Sequence, residues 1–406
     1  MASRAESQVK KSLLNGEIVG IDAARVTEDK KTLEVDLDLD AGVKSLLNMV
    51  ESMVPKGSLV PLRGARDPNT INILLTGATS FLGTHVLQSL SSDSHVGEIH
   101  CVAVRHQKRK GSALKINVNS KIFQHPRDLT LPLFRRSSGL FAESSHKIDV
   151  IIHIGAQVSF LEPYAGTLRL ANTVSTAVLY AMGSQMSIPL HYLSSAGVAS
   201  VLGRAESLAP VSITEQHSPS AKGHTQSSDG YAISKWVSEL LLERMALERD
   251  LPVWIHRPTN IVGDGAPTHD LVGAVPLLEV KSRARGRDEL QVAGTFDFVP
   301  VEKVTSDLVA CVFDSVLSPT YLPPAPNSEQ LYEAALFIHH SNRSQSKVPP
   351  NELGIYLEKV EGRPFSSLPL DQWLEAAKEE GFPYVLDEYL RGILREGGEV
   401  RLPSIT

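Results

Sequence analysis

The chain has 406 residues, of which 42% are hydrophobic and 21% charged, and a formal net charge of −6. This is a globular balance, long enough for one large domain with appendages or for two domains, and it offers no global attraction for nucleic acid or an anionic membrane. Cys101 and Cys311, the only cysteines, lie in apolar runs, which excludes a disulfide framework and points to buried thiols in a reducing, cytoplasmic setting.

No apolar stretch reaches the ~18 to 20 residues of a membrane helix, and the N-terminus carries no apolar signal core. Residues 1–70 read as a polar leader with one docking helix, where Val43, Leu46, Leu47, Val50 and Met53 recur at helical spacing, and a Pro/Gly/Arg-rich linker. From Ile71 strands and helices alternate. The strands are Ile71–Leu75, Glu98–Val104, Val150–Ile154, Leu190–Leu193 and Val253–His256. Helical periods occupy Gly83–Leu90, Leu168–Met182 and Tyr231–Glu248. This alternation implies an α/β fold, a doubly wound parallel sheet over residues 71–262, with ligands at the carboxyl ends of the strands. Residues 263–406 read as a smaller mixed or helical substrate lobe, with a Pro-rich loop at 322–326, a Ser/Asn/Gln-rich loop from His340 and helices near Asp371–Glu380 and Leu386–Leu394. The basic runs 106–110 and 283–287 read as solvated faces.

The first strand runs into Thr76-Gly-Ala-Thr-Ser-Phe-Leu-Gly83. Gly77 suits a tight turn and Gly83 suits close packing of the following helix, but Ser80 stands where a nucleotide-binding turn commonly has its middle glycine. Tyr231 and Lys235 lie four residues apart on one helical face, where a nearby cation favours the phenolate and makes the phenol a proton carrier at neutral pH. His153 ends a strand and reads as a satisfied structural group. His339 and His340 have no partners at a metal-like spacing and read as a loop pair, so no metal is expected. Trp236, Trp254 and Trp373 read as packing residues. Ser195 lacks the Gly-x-Ser-x-Gly elbow of an α/β-hydrolase thioesterase.

From about Ile71 onward these motifs resemble the extended short-chain dehydrogenase/reductases, which are Rossmann-like. Within them the chain is similar to the terminal thioester-reductase domains of polyketide and nonribosomal peptide synthetases. The likeness rests on Thr76 to Gly83, Val102-Ala-Val-Arg105, Arg127-Asp-Leu129, His153-Ile-Gly-Ala156, Phe160-Leu-Glu-Pro-Tyr164, Ala171-Asn172, Asp229 to Glu239, Arg257-Pro258 and Phe298-Val-Pro300. It implies a Ser195, Tyr231 and Lys235 triad. It also implies an NADPH groove lined by Gly77, Thr79, Ser80, Phe81, Leu82, Gly83, Arg105, Asp128, Leu129, Gly155, Ala156 and Asn172.

Three residues depart from the family pattern in that groove. Ser80 replaces a glycine, and a side chain at a position requiring positive φ costs on the order of 1 kcal/mol. Arg127 adds bulk beside the adenine site, and Ile154 removes a polar group near the nicotinamide end. Loss of cofactor fit beside a retained triad resembles the redox-inactive release domains of fungal hybrid synthetases. There a Dieckmann condensation closes a tetramic acid from a β-ketoacyl-aminoacyl thioester, on a phosphopantetheinylated carrier domain, with no cofactor. Asp229 is the expected base, against a helix-capping role for it and against Tyr231 as phenolate. The alternatives are an NADPH-dependent thioester reductase using the same triad, and a non-catalytic NADP-sensing protein. The resemblance implies a carrier domain as partner, no nucleic acid or membrane, and a monomeric unit.

Overall fold

The computed structural model describes residues 69–104, 120–125, 128–131, 134, 146–159, 162–184, 187–202, 212–213, 230–249, 251–263, 292–293, 295–317, 335–342 and 347–349, with isolated positions in 45–52 and 352–405. In chain order these form β1 (Ile71–Thr76), α1 (Phe81–Ser92), β2 (Val96–Val102), β3 (Ile122–His125) and β4 (Val150–His153). A π-helical segment (Tyr164–Val174) then continues into α2 (Ser175–Ser184), followed by β5 (Leu190–Leu193) and a 3-10 turn (Ala196–Leu202). Next come β6 (Ser212–Ile213), α3 (Gly230–Arg249), β7 (Val253–Pro258), β8 (Asn260–Val262), β9 (Val292–Ala293) and β10 (Phe296–Pro300). The chain closes with α4 (Val301–Leu317), β11 (Ala335–His340), β12 (Lys347–Val348), β13 (Val400–Arg401) and β14 (Ser404–Ile405).

Seven strands form one sheet in the order β11-β7-β5-β4-β1-β2-β3, and every adjacent pair is parallel. Its strands are nearly continuous apolar runs because helices cover both faces. One face packs α2 and the second half of α3 against Leu74, Ile151, Leu190 and Ile255. The other packs α1 and α4 against Ile73, Leu75, Val150 and Ile152. The order reverses between β1 and β4, so the loops leaving those strands flank the crevice where doubly wound sheets bind ligands.

The sheet extends beyond the boundary drawn from the sequence at residue 262. Helix α4 packs on α1, and β11 pairs with β7 from Ala335↔Val253 to His340↔Pro258, so part of the presumed C-terminal lobe completes the main sheet. His339 and His340 are accordingly buried strand residues rather than a loop pair. His340 belongs to a row of imidazoles crossing three strands. His191 Nδ1 lies 3.1 Å from His256 Nε2, and His256 Nδ1 lies 2.9 Å from His340 Nε2. Ser315 and Asp307 of α4 stand at the ends, 3.0 Å from His191 Nε2 and 3.5 Å from His340 Nδ1. Burial lowers the pKa of His191 to about 3 and that of His256 well below its ordinary value, the latter helped by the neighbouring rings, so both are neutral.

Three smaller pairings lie apart from the main sheet. Strand β10 joins β8 in parallel and β12 antiparallel, β13 joins β9, and β14 joins β6. Strand β12 falls within the segment read as a Ser/Asn/Gln-rich loop. Residues 45, 46, 48, 49 and 52 are helical, and Leu46 and Met49 dock into the core beside Ile148 and Phe134. Helical turns also occur at 374–375, 378, 387–388 and 390–391, where the sequence indicated helices. Trp236 and Trp254 are core residues, and Cys101 is buried while Cys311 is half-buried. Arg105, Arg127, Phe160, Asp229, Trp373, the basic runs 106–110 and 283–287 and the loop 322–326 lie outside the described residues. Among the described residues no helix is long and apolar enough to cross a membrane, and no cluster of three or more His, Cys, Asp or Glu is placed to hold a metal ion.

Candidate active site

The two crevice loops are interlocked through glycines. Gly77 turns at φ +75°, and a Cβ there would lie 2.6 Å from the backbone nitrogen of Gly155, so only glycine fits. A Cβ on Gly83 would strike the carbonyl oxygen of Gly77, which explains the demand for glycine where α1 crosses the turn. Leu129 is buried against the same junction, with its Cδ1 3.1 Å from where a Cβ on Gly155 would stand.

Ser80 corrects the expectation of backbone strain. Its φ of −78° and ψ of 166° are ordinary extended values, so its Cβ carries no left-handed penalty. It is the N-cap of α1: its Oγ accepts the backbone N–H of Gly83 at 3.1 Å. Helix N-terminal N–H groups are the donors that hold a dinucleotide pyrophosphate, and here one of them is already engaged by a side chain. The turn keeps the glycines of a dinucleotide-binding loop, and Ser80 caps the helix that follows it. Phe81 and Leu82 open α1, Phe81 with its ring 5.4 Å from that of His85 and Leu82 in the core. Thr79 lies in the turn between.

Ile154 also departs from expectation. Its side chain is buried in the cluster with Ile152, Val299 and Val301, so apolar packing accounts for its identity. The next residues, Gly155 and Ala156, continue the loop. His153 is fully buried between Thr76 Oγ1, 2.7 Å from Nδ1, and Thr176 Oγ1, 3.1 Å from Nε2. The Thr76 oxygen accepts the Gly155 N–H at 3.0 Å and the Thr176 hydroxyl donates to the Asn172 carbonyl, which leaves Nε2 as the protonated nitrogen of the ring. Burial, and then the charge on Lys235, bring the His153 pKa down to about 3. It is the satisfied structural group read from the sequence.

Asn172 is buried and its amide is engaged within the protein. It receives the Gln157 N–H at 2.8 Å and donates to Gln157 O and Ser234 Oγ, latching the β4 loop to α3. Asp128 receives both the N–H and the hydroxyl of Thr130 at 2.9 Å and so closes the turn beyond β3. Both residues thus have protein partners where the sequence suggested cofactor contacts.

The triad lies where β5 and α3 meet. Ser195 follows β5 and is half-buried, its Oγ accepting the Gly197 N–H at 3.0 Å. Tyr231 stands in the first turn of α3 and is also half-buried. Lys235 is buried one turn later, where its Nζ donates to Leu193 O at 2.6 Å. That ammonium lies 4.8 Å from the centroid of the Tyr192 ring and 5.8 Å from that of Tyr231. Burial pulls the Lys235 pKa down to about 7, partly offset by Glu239. One further turn on, Glu239 holds Arg257 through Oε1 at 3.0 Å and Oε2 at 2.7 Å, and receives the Ser194 hydroxyl. Tyr231, Lys235 and Glu239 thus recur at i, i+4 and i+8 down one face. Sequence reasoning missed the Glu239–Arg257 pair as part of the site, although the four-residue spacing was there to find it.

The fold and this arrangement define a reductase-type domain of the short-chain dehydrogenase/reductase class. Residues 75–307 match the NAD-binding family described as male sterility protein, and the chain belongs to that family. It is similar to the PKS-NRPS hybrid synthetase psoA of Aspergillus fumigatus, 36% identical over 82% of this chain and 8% of that protein. Hybrid PKS-NRPS synthetase gkaA of Penicillium citrinum is 36% identical over 79% of this chain and 7% of that protein. The chain therefore spans less than a tenth of these curated relatives. Among solved structures, the terminal R domain from the myxalamid PKS-NRPS biosynthetic pathway matches with a TM-score of 0.62 and 27% identity, covering 89% of this chain and 90% of that one.

Proposed function

We propose that this chain is a product-release domain of a PKS-NRPS hybrid synthetase, and that it closes a tetramic acid by non-redox Dieckmann cyclisation of a β-ketoacyl-aminoacyl thioester on a phosphopantetheinylated carrier domain. The similarity to hybrid synthetases supports the release role. The observation that supports the non-redox reading is the Ser80 hydroxyl on the Gly83 N–H, which engages one of the donors at the head of α1.

In this reading Tyr231, held as phenolate by the Lys235 cation, removes the proton from the carbon between ketone and amide. The carbanion attacks the thioester carbonyl and forms the ring C–C bond. The Ser195 hydroxyl donates to the oxyanion, which collapses, breaks the C–S bond and expels the carrier thiolate. The Tyr231 proton passes to that thiolate. The products are the cyclic dione and the free carrier thiol, with no change of oxidation state. Asp229, the base expected from sequence, precedes α3 and stays a proposed contributor beside Tyr231.

A second reading, NADPH-dependent reduction of the same thioester to an aldehyde or alcohol, draws support from the Gly77 turn and the NAD-binding family match. The test is to incubate the purified chain with a β-ketoacyl-aminoacyl N-acetylcysteamine thioester, with and without NADPH, and to identify the product. Cyclic dione formed without NADPH, and at least ~100-fold more slowly by Tyr231→Phe, is the expected result. Aldehyde or alcohol formed only with NADPH overturns the cyclisation.

A further inference from the structure

Arg169 lies on the π-helical segment between β4 and α2, within the helical period read from the sequence at Leu168–Met182, and it is only 5% exposed. Its Nε and Nη2 groups are buried without a hydrogen-bond partner. Among the described residues no carboxylate pairs with it. A buried cation left uncompensated is strongly destabilising, and a native protein that keeps one has a use for it. The segment also departs from regular α-helix, with a kink at Gly166 and π-type hydrogen bonding, a local irregularity that tends to mark functional sites.

The unpartnered groups have a definite shape. The Nε–H and the adjacent Nη2–H form one edge of the guanidinium, and they point in parallel toward two acceptors. Arg257 shows what that edge takes in this protein: its Nε and Nη2 hold the two oxygens of the Glu239 carboxylate. Arg169 offers the same fork with no carboxylate to fill it.

The segment that carries Arg169 packs on α3, where Asn172 and Thr173 hydrogen-bond to Ser234. Tyr164, the neighbour of Arg169 one π-turn earlier, packs with Val198, just past Ser195, and with Ala232 and Ile233, just past Tyr231. Gly230, the residue before Tyr231, lies so close that a Cβ on it would be 2.7 Å from Tyr164 N. Burial raises the Tyr164 pKa, offset by the Thr173 hydroxyl and by the charge and hydrogen bond of Arg169, which marks these groups as one cluster.

We infer that Arg169 is the anchor of an anion subsite at the head of α3 that grips a planar, two-oxygen anion, the delocalised enolate of a 1,3-dicarbonyl. The inference rests on the proposed cyclisation, whose β-ketoamide intermediate and cyclic product both carry that group, ionised and planar. A simple carboxylate has the same donor demand and is the other source of such an anion.

The test uses the intact chain and an acyl tetramic acid as probe, with hexanoate as the carboxylate arm. Binding is read by calorimetry and by the shift in melting temperature. The wild type is expected to bind the tetramate at least ~10-fold more tightly than hexanoate, with Arg169→Lys and Arg169→Met each weakening the tetramate at least ~10-fold. The same variants raise KM for the thioester, and Arg169→Met melts no lower than the wild type because it removes an unbalanced buried charge. Equal binding of hexanoate overturns the dicarbonyl assignment. Unchanged tetramate binding in both variants, or a lower melting temperature with no change in affinity, overturns the subsite. Should Arg169→Met fail to fold, Arg169→Lys keeps the charge while losing the fork and reports alone. Failure of the cyclisation reads differently, because a chain that binds tetramate through Arg169 yet yields only aldehyde loses the cyclase role and keeps the subsite.

Discussion

Glu239 and Arg257 are both fully buried, and replacing Glu239 by Gln removes the carboxylate charge that faces Nε and Nη2 of this interior guanidinium. Breaking one side of such a pair costs about 3 to 5 kcal/mol, and weakening the acceptor of the Ser194 hydroxyl adds about 1 kcal/mol. Against a total stability of about 5 to 15 kcal/mol this is a large fraction. Replacing both residues by Met removes the charge and its partner together, and the apolar pair can rest on Phe337, whose ring lies 4.2 Å from the Arg257 guanidinium carbon. The double variant is therefore expected within about 2 kcal/mol of the wild type, far above the sum of the singles. Urea unfolding followed by tryptophan fluorescence measures all four corners of the cycle, since Trp236 and Trp254 are buried in the same sheet and helix layers. If Glu239→Gln costs under about 1 kcal/mol, or if the double variant loses the sum of the single losses, the pair does not work as an isolated buried ion pair and the reasoning fails.

Lys235, with its pKa lowered by burial to about 7, is charged below that pH and neutral above it. Between about pH 7 and its ordinary 10.5 the unfolded chain holds the extra proton, so stability rises with pH in that window, as melting temperatures will record. Catalysis that needs the cation beside Tyr231 runs the other way: kcat for ring closure falls above about pH 7, and Lys235→Arg, which keeps its charge, abolishes the fall in initial rates. Ser80→Gly frees the Gly83 N–H at a cost of a few tenths of a kcal/mol in stability, and NADPH affinity measured by fluorescence titration is expected to rise; an unchanged affinity would show that the cap does not exclude the phosphate.

The central strands and the helices between them were legible because they obey one rule, apolar residues buried on both faces, broken by glycine turns. Strand β3 escaped notice because only Ile122 of its four residues is buried, as befits an edge. Strand β11 escaped because it ends in two histidines, and a buried strand is expected to be apolar. His340 is tolerated there since its ring meets another ring on the neighbouring strand, a partner no linear pattern displays. At the site, the triad's spacing was visible in the chain, while its supports were not. The Ser80 conformation depends on where α1 starts, and Ile154 is apolar because α4, some 150 residues later, lies over it. Arg169 resembles any surface helix cation in one dimension, and its burial is visible only in the fold, on a segment that packs on α3.

The imidazole row carries a constraint that reaches across the sheet. The Ser315 hydroxyl donates to the Val312 carbonyl at 2.7 Å, so it can only receive from His191 Nε2. His191, being neutral, then offers a lone pair to His256, which must in turn offer one to His340. A single serine on α4 thereby fixes which nitrogens of His191 and His256 carry their protons, and it requires a proton on His340 Nε2, two strands away.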